Sequence, residues 1–95
     1  MRRVHLSDIN LAARVLMPVP VHQRSDAIKR LITYAHAADK FRKRMGRVHP
    51  KWGAGRLSDV CLPTPMAKGS EGCDVQYLLC LAQVSYALAM KNSDM

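Results

Sequence analysis

Side chains able to do chemistry are few in this chain and stand far apart. His5, His22, His36 and His49 form neither an HxxxH nor an HExxH pair, and no carboxylate is the direct neighbour of any of them. Neither a helical metal site nor a metal-assisted catalytic base is therefore spelled out. Cys61, Cys73 and Cys80 are an odd set without a CxxC pair. That count closes no disulfide framework, and the spacing suits neither a zinc ribbon nor a redox motif. Free thiols, packed or half-packed in a reducing cytosol, are the expectation. Cys61 and His49 could be imagined as thiol and base, but Cys61 falls in the apolar phase of a short helix beside Val60 and Leu62 and reads as packed. The glycines of Gly53-Ala54-Gly55 would let backbone amides converge on a phosphate. The stretch has neither the GxGxxG nor the Walker pattern, however, and a turn folding Trp52 back onto the helices is the simpler reading. No nucleophile elbow is present. The chain is expected to be no enzyme and to use no metal or cofactor.

What remains is charge. Lys40, Arg42, Lys43, Arg44, Arg47, Lys51 and Arg56 fall within residues 40–56 with no acidic residue among them, so this segment contributes +7 of a formal net charge of +8. The segment also holds the only Phe and the only Trp, Phe41 and Trp52. Cations interleaved with aromatic rings can neutralise phosphates and stack a base. They can equally dock on an acidic protein surface with Trp52 and Arg47 as anchors, meet anionic lipid heads, or do no more than solvate a small protein. Lys40, Lys43, Arg44, Arg47, His49, Lys51, Trp52 and Arg56 are the candidate binding residues: the cations for charge, Trp52 for an apolar or stacking contact, His49 for a pH-sensitive one.

Helices must position these residues. The first is expected to begin after Ser7, with Ser7 as cap and Asp8 in the first turn, to bury Ile9, Ala12, Ala13 and Leu16, and to end before Pro18. Residues 22–24 should form a turn. A long second helix is expected from a Ser25 cap to Met45, stopped by Gly46 in a left-handed conformation. Its apolar stripe reads Ile28, Leu31, Ala35, Ala38 and Met45, with Ile32 and Tyr34 at the margins, and its polar face grows basic towards the C-terminus. Arg42 falls in the apolar phase, where a guanidinium needs a partner; Asp39, three residues earlier, is the candidate. A loop follows in which Pro50 keeps His49 extended. A short helix is expected over 57–62, then a Pro- and Gly-containing loop over 63–72, then a helix from an Asp74 cap to about Lys91. That last helix is apolar around most of its circumference, which reads as a central buried helix, with a homodimer through residues 75–90 as the sharper alternative.

Size and composition narrow the class. Ninety-five residues with 48% hydrophobic and 23% charged residues describe one ordinary globular domain, 1–95, with a modest core. A deep enzyme cleft would consume much of that core. Asp8, Asn10 and Arg14 interrupt any secretory h-region at the start, and Val75 to Met90 is short for a membrane span of about 20 residues. The Pro18-Val19-Pro20 connector replaces the Gly-containing turn of a DNA-reading helix–turn–helix. The expected fold is all-α, a small single-domain bundle of three main helices plus one short helix, in a cytoplasmic protein without integral membrane association.

Gly46-Arg47-x-His49-Pro50-x-Trp52-Gly53-x-Gly55, and later Asp74-x-x-Tyr77-x-x-Cys80-Leu81, resemble a family of small uncharacterised alphaproteobacterial helical proteins. The likeness covers most of the chain, including the Arg-x-Val-His-Leu-Ser-Asp opening. Arg56 stands where that family usually has Ser, and the proline loop is less acidic here. The resemblance implies a bacterial cytoplasmic helical protein in which residues 46–55 act as one unit, and it assigns no activity. The expected function is that of a non-enzymatic regulatory or adaptor protein binding an acidic macromolecular partner through the basic segment; the alternative is a nucleic-acid-binding protein that contacts phosphates with the same face.

Overall fold

A computed structural model describes residues 3–64 and 75–93. Every regular element among them is helical: α1 (Leu6–Leu16), a 3-10 turn (Val21–Gln23), α2 (Arg24–Met45), α3 (Leu57–Cys61) and α4 (Val75–Ser93). The all-α expectation is met. The loop beyond Thr64, the Asp74 cap and Cys73 lie outside the described residues.

α1 starts two residues earlier than a Ser7 cap would place it. His5 is the cap residue, its amide donating to the Asp8 carboxylate at 2.8 Å, while Ser7 lies exposed inside the helix. A carboxylate at the third helical position reaches back to the cap amide and also faces the positive helix end. Ala12 and Ala13 are fully buried; their small side chains let α1 approach α3 and α4 closely.

The end of α1 is closed from a distance. Arg24, read from sequence as a turn residue, is buried and spreads its guanidinium over carbonyls that have no helical partner. Nε donates to the Leu16 and Val19 oxygens at 3.0 Å each, Nη2 to that of Met17 at 3.0 Å, and Nη1 to Gln76 Oε1 at 3.1 Å. A cation here also complements the negative end of α1. Arg24 begins α2, so Ser25 is a first-turn residue and makes no cap bond.

α2 buries Ile28, Leu31, Ile32, Ala35, Ala38 and Asp39, and nothing beyond Asp39. Met45, expected on the buried stripe, is 55% exposed, because the burial of α2 stops at Asp39, six residues before it. The buried residues of all four helices join in one cluster. α4 corrects the expectation of a helix buried all round. Cys80, Val84 and Leu88, spaced by four, are its buried row, and Tyr77 hydrogen-bonds Asn10 of α1. Its opposite face is open. Two long neighbours can cover only about half of a helix's circumference.

Candidate functional site

α2 stops at Gly46, whose φ of 70° is left-handed and whose amide donates to the Arg42 oxygen at 2.9 Å. The chain then turns back along the helix it has just left. His49 and Gly53 exchange both backbone hydrogen bonds, at 3.0 and 3.1 Å. Inside that turn His49 Nδ1 accepts the amides of Lys51 and Trp52, each at 3.0 Å. Nδ1 is therefore the acceptor and the ring proton of the neutral imidazole sits on Nε2.

The folded-back loop builds a column of rings. Trp52 stacks on Tyr34 of α2 with centroids 4.6 Å apart and planes within 10°, and His49 stacks on Trp52 at 4.7 Å and 8°. Phe41 meets His49 edge-on at 4.9 Å. Trp52 is half-buried and carries two stacked rings. Tyr34 and Phe41 stand seven residues apart, on one side of α2, and that spacing was the available sequence signal for where the loop docks.

Two glycines allow the docking. Gly55 has φ +96°, and a Cβ there would lie 2.7 Å from Asp39 Cβ and 2.8 Å from its Cα. Gly53, at φ +79°, would meet Asp59 Cβ at 2.6 Å. The Ala54 amide donates to Asp59 Oδ2 at 3.1 Å. The anion that meets the Gly-Ala-Gly stretch is therefore the protein's own carboxylate.

Asp39 is the electrostatic centre of the segment. It is buried, and it accepts from Arg42 Nη2 at 3.1 Å and Lys43 Nζ at 3.3 Å. The pairing of Arg42 with Asp39 is as the sequence led one to expect, although Arg42 remains about a third exposed and its Nε is buried without an acceptor among the described residues. Burial raises the Asp39 pKa, but the hydrogen bonds from Arg42 and Lys43 help bring it down to about 2. His36, one turn before Lys40, is held below its ordinary value by burial, with the charges of Lys40 and Lys91 adding.

The candidate residues are thereby gathered around one end of α2. At about 100° per residue, Lys40 and Arg44 lie on the side away from the core. Lys43 turns towards Asp39. Arg47 and Lys51 flank the rings, at 5.9 Å from the centroids of Phe41 and Trp52 respectively, the outer limit of a cation–π contact. Arg56 follows the glycine that abuts Asp39. Lys40, Arg44, Arg47, Lys51 and Arg56 are all exposed, and among the described residues none of the five has a carboxylate at ion-pair distance. Beside the rings, a groove of about 420 Å³ runs between α1, α2 and α3, floored by Val15, Leu31 and Val60, walled by Tyr34 and Trp52, and edged by Arg30 and Lys51. Among the described residues no acidic one lines it. Sequence reading missed this groove because its lining comes from four separate stretches of chain, 15–19, 27–34, 51–52 and 60–64.

The remaining reactive groups are set apart from this end. Cys61 is fully buried, and burial, with Asp8 nearby, pushes its thiol up to about 12. Among the described residues no three His, Cys, Asp or Glu side chains are placed to hold a metal ion, and no helix is long and apolar enough to cross a membrane.

Comparison with known proteins returns one family. A family model described as a domain of unknown function (DUF7742) matches residues 2–88. No curated protein and no solved structure matches the chain.

Proposed function

The chain belongs to the DUF7742 family, and we propose that this member is a small non-enzymatic regulatory or adaptor protein that docks on an acidic macromolecular partner. Five exposed cations with no carboxylate at ion-pair distance among the described residues, Lys40 and Arg44 at the end of α2 and Arg47, Lys51 and Arg56 on a loop braced by stacked rings and close-packed glycines, are the observation on which the proposal rests. Exposed charges of one sign speed encounter and select partners more than they add affinity. Affinity needs a desolvated apolar contact, and the groove beside Trp52, edged by Arg30 and Lys51, offers one to an apolar side chain flanked by carboxylates. Bracing of the loop lowers the ordering cost of binding. The absence of catalysis is proposed because the buried Cys61 thiol is a poor nucleophile at neutral pH and His49 Nδ1 is already engaged. A bacterial cytoplasm is the setting that the loop resemblance implies.

Nucleic acid is the second reading, carried by the same cations as phosphate contacts. Trp52 already stacks with Tyr34 and His49 within the protein, which leaves less of its ring for a base and favours the protein partner.

The test uses the full chain and its Arg44→Glu/Arg47→Glu variant as baits in cell extract, with and without nuclease. Each captured partner is purified and titrated directly, alongside short duplex DNA and single-stranded RNA, following Trp52 fluorescence at near-physiological salt. An acidic protein that survives nuclease treatment and loses at least ~10-fold in affinity on charge reversal supports the proposal. Saturable nucleic-acid binding with the same charge dependence would overturn it in favour of the second reading. Binding indifferent to the reversal would overturn both.

A further inference from the structure

The open face of α4 has a pattern of its own. Val75, Leu79, Ala82, Tyr86 and Met90 recur at intervals of four, three, four and four, and all are exposed, Leu79 by 56% and Tyr86 by 68%. Leu78 and Ala89 widen the stripe on one side. Lys91 is the only charged residue from Val75 to Ser93. In a chain of net charge +8, this is the surface on which another copy would meet no repulsion. Spacings of three and four are those of a helix–helix seam. The stripe is also nearly palindromic: reversed about the point between Ala82 and Gln83, Val75 falls on Met90 and Leu79 on Tyr86. A surface with that property is complementary to itself when two helices run antiparallel about a two-fold axis.

We propose that this face of α4 is the seam of an antiparallel homodimer, with Leu79 of each copy against Tyr86 of the other and the two Ala82 residues beside the axis. The exposed apolar residues present on the order of 500 Å² per copy, so that pairing buries about 1,000 Å² in total, the lower bound for a specific interface. Charge placement selects the direction. Arg24 bonds Gln76 at 3.1 Å, fixing the start of α2 beside the start of α4. Thr33 of α2 and Met90 of α4 line one groove. The two helices therefore run the same way, and the basic end of α2 extends past the C-terminal end of α4. A parallel pair would set two such ends side by side, whereas an antiparallel pair sends them to opposite ends, well beyond a screening length of about 8 Å. Such a dimer carries two docking ends, but its existence does not depend on what they bind.

Sedimentation equilibrium of the full chain over about 1–200 μM tests the pairing. The expected mass is twice the 10.6 kDa of the chain at the upper end of that range. Leu79→Glu and Tyr86→Glu should each raise the dissociation constant at least ~100-fold and leave the far-UV circular dichroism unchanged, since both side chains are exposed. Register is read by disulfide trapping in a Cys73→Ser background. Ala82→Cys should cross-link to itself, and Val75→Cys only when Met90→Cys is also present. A monomer throughout the range, or a dimer indifferent to Leu79→Glu, would overturn the proposal. Self-cross-linking of Val75→Cys would overturn the antiparallel register.

Discussion

Replacing Gly55 by Ala, with Gly46→Ala as its reference, separates the two things that a glycine can be needed for. Both residues have positive φ, 96° and 70°, but a Cβ at Gly46 meets nothing within 4 Å, whereas at Gly55 it lies 2.7–2.8 Å from Cβ and Cα of Asp39. For Gly46→Ala the expected cost is the left-handed conformation alone, about 1–2 kcal/mol, partly offset by a stiffer unfolded chain to a net of about 1 kcal/mol. Gly55→Ala carries that cost and an overlap with the backbone of α2, which cannot yield like the end of a flexible side chain. Overpacking adds about 1–3 kcal/mol, for a total near 3 kcal/mol. The assay is urea unfolding followed by far-UV circular dichroism for the helices and by the fluorescence of Trp52, the only Trp, for the loop. With a slope of about 1 kcal/mol per molar urea for a chain this small, the two midpoints should differ by about 2 M. Equal destabilisation of the two variants, within about 0.5 kcal/mol, would refute the reasoning, because it would mean that the loop does not press on Asp39.

Three further outcomes are expected. A folded-state carboxyl near 2, against an ordinary 3.8, means that the Asp39 contribution is complete above pH 4 and lost as the pH falls through about 2; it amounts to at most about 2 kcal/mol. Asp39→Asn should therefore lose that stability at pH 7 and flatten the acid limb of a urea-midpoint profile between pH 4 and 2, and an unchanged profile would contradict the pairing. Trp52→Ala removes the ring that stacks with Tyr34 and His49 and should cost about 2 kcal/mol for a half-buried aromatic, measured by circular dichroism; a change below 0.5 kcal/mol would mean that the stacked rings do not brace the loop. Cys61, with its thiol near 12, should resist alkylation at pH 8 in the native protein and react on unfolding, as mapped by peptide mass spectrometry. Native-state modification at the rate of a free thiol would contradict its burial.

Features spanning a few turns of chain were legible in the sequence. The stop at Gly46, the break before Pro18, the apolar stripe of α2, the Arg42–Asp39 pair and the crowding of cations over residues 40–56 depend on neighbours within about four residues, where helical geometry dictates who meets whom. Even here small errors arose: competition between nearby polar groups for the same free amides moved the α1 cap from Ser7 to His5 and Asp8. Only the tertiary structure decided the rest. Arg24 closes α1 because the chain bends at Pro18 and Pro20 and returns its guanidinium to carbonyls five to eight residues back. Trp52 meets Tyr34 because the Gly46 and His49 turns reverse the chain, and the glycines at 53 and 55 matter for what lies across from them, Asp59 and Asp39. α4 is apolar on nearly every side, so composition alone could not say which side is covered. Burial depends on how many helices are present to pack against it, and here α1 and α2 cover one face and leave the other open.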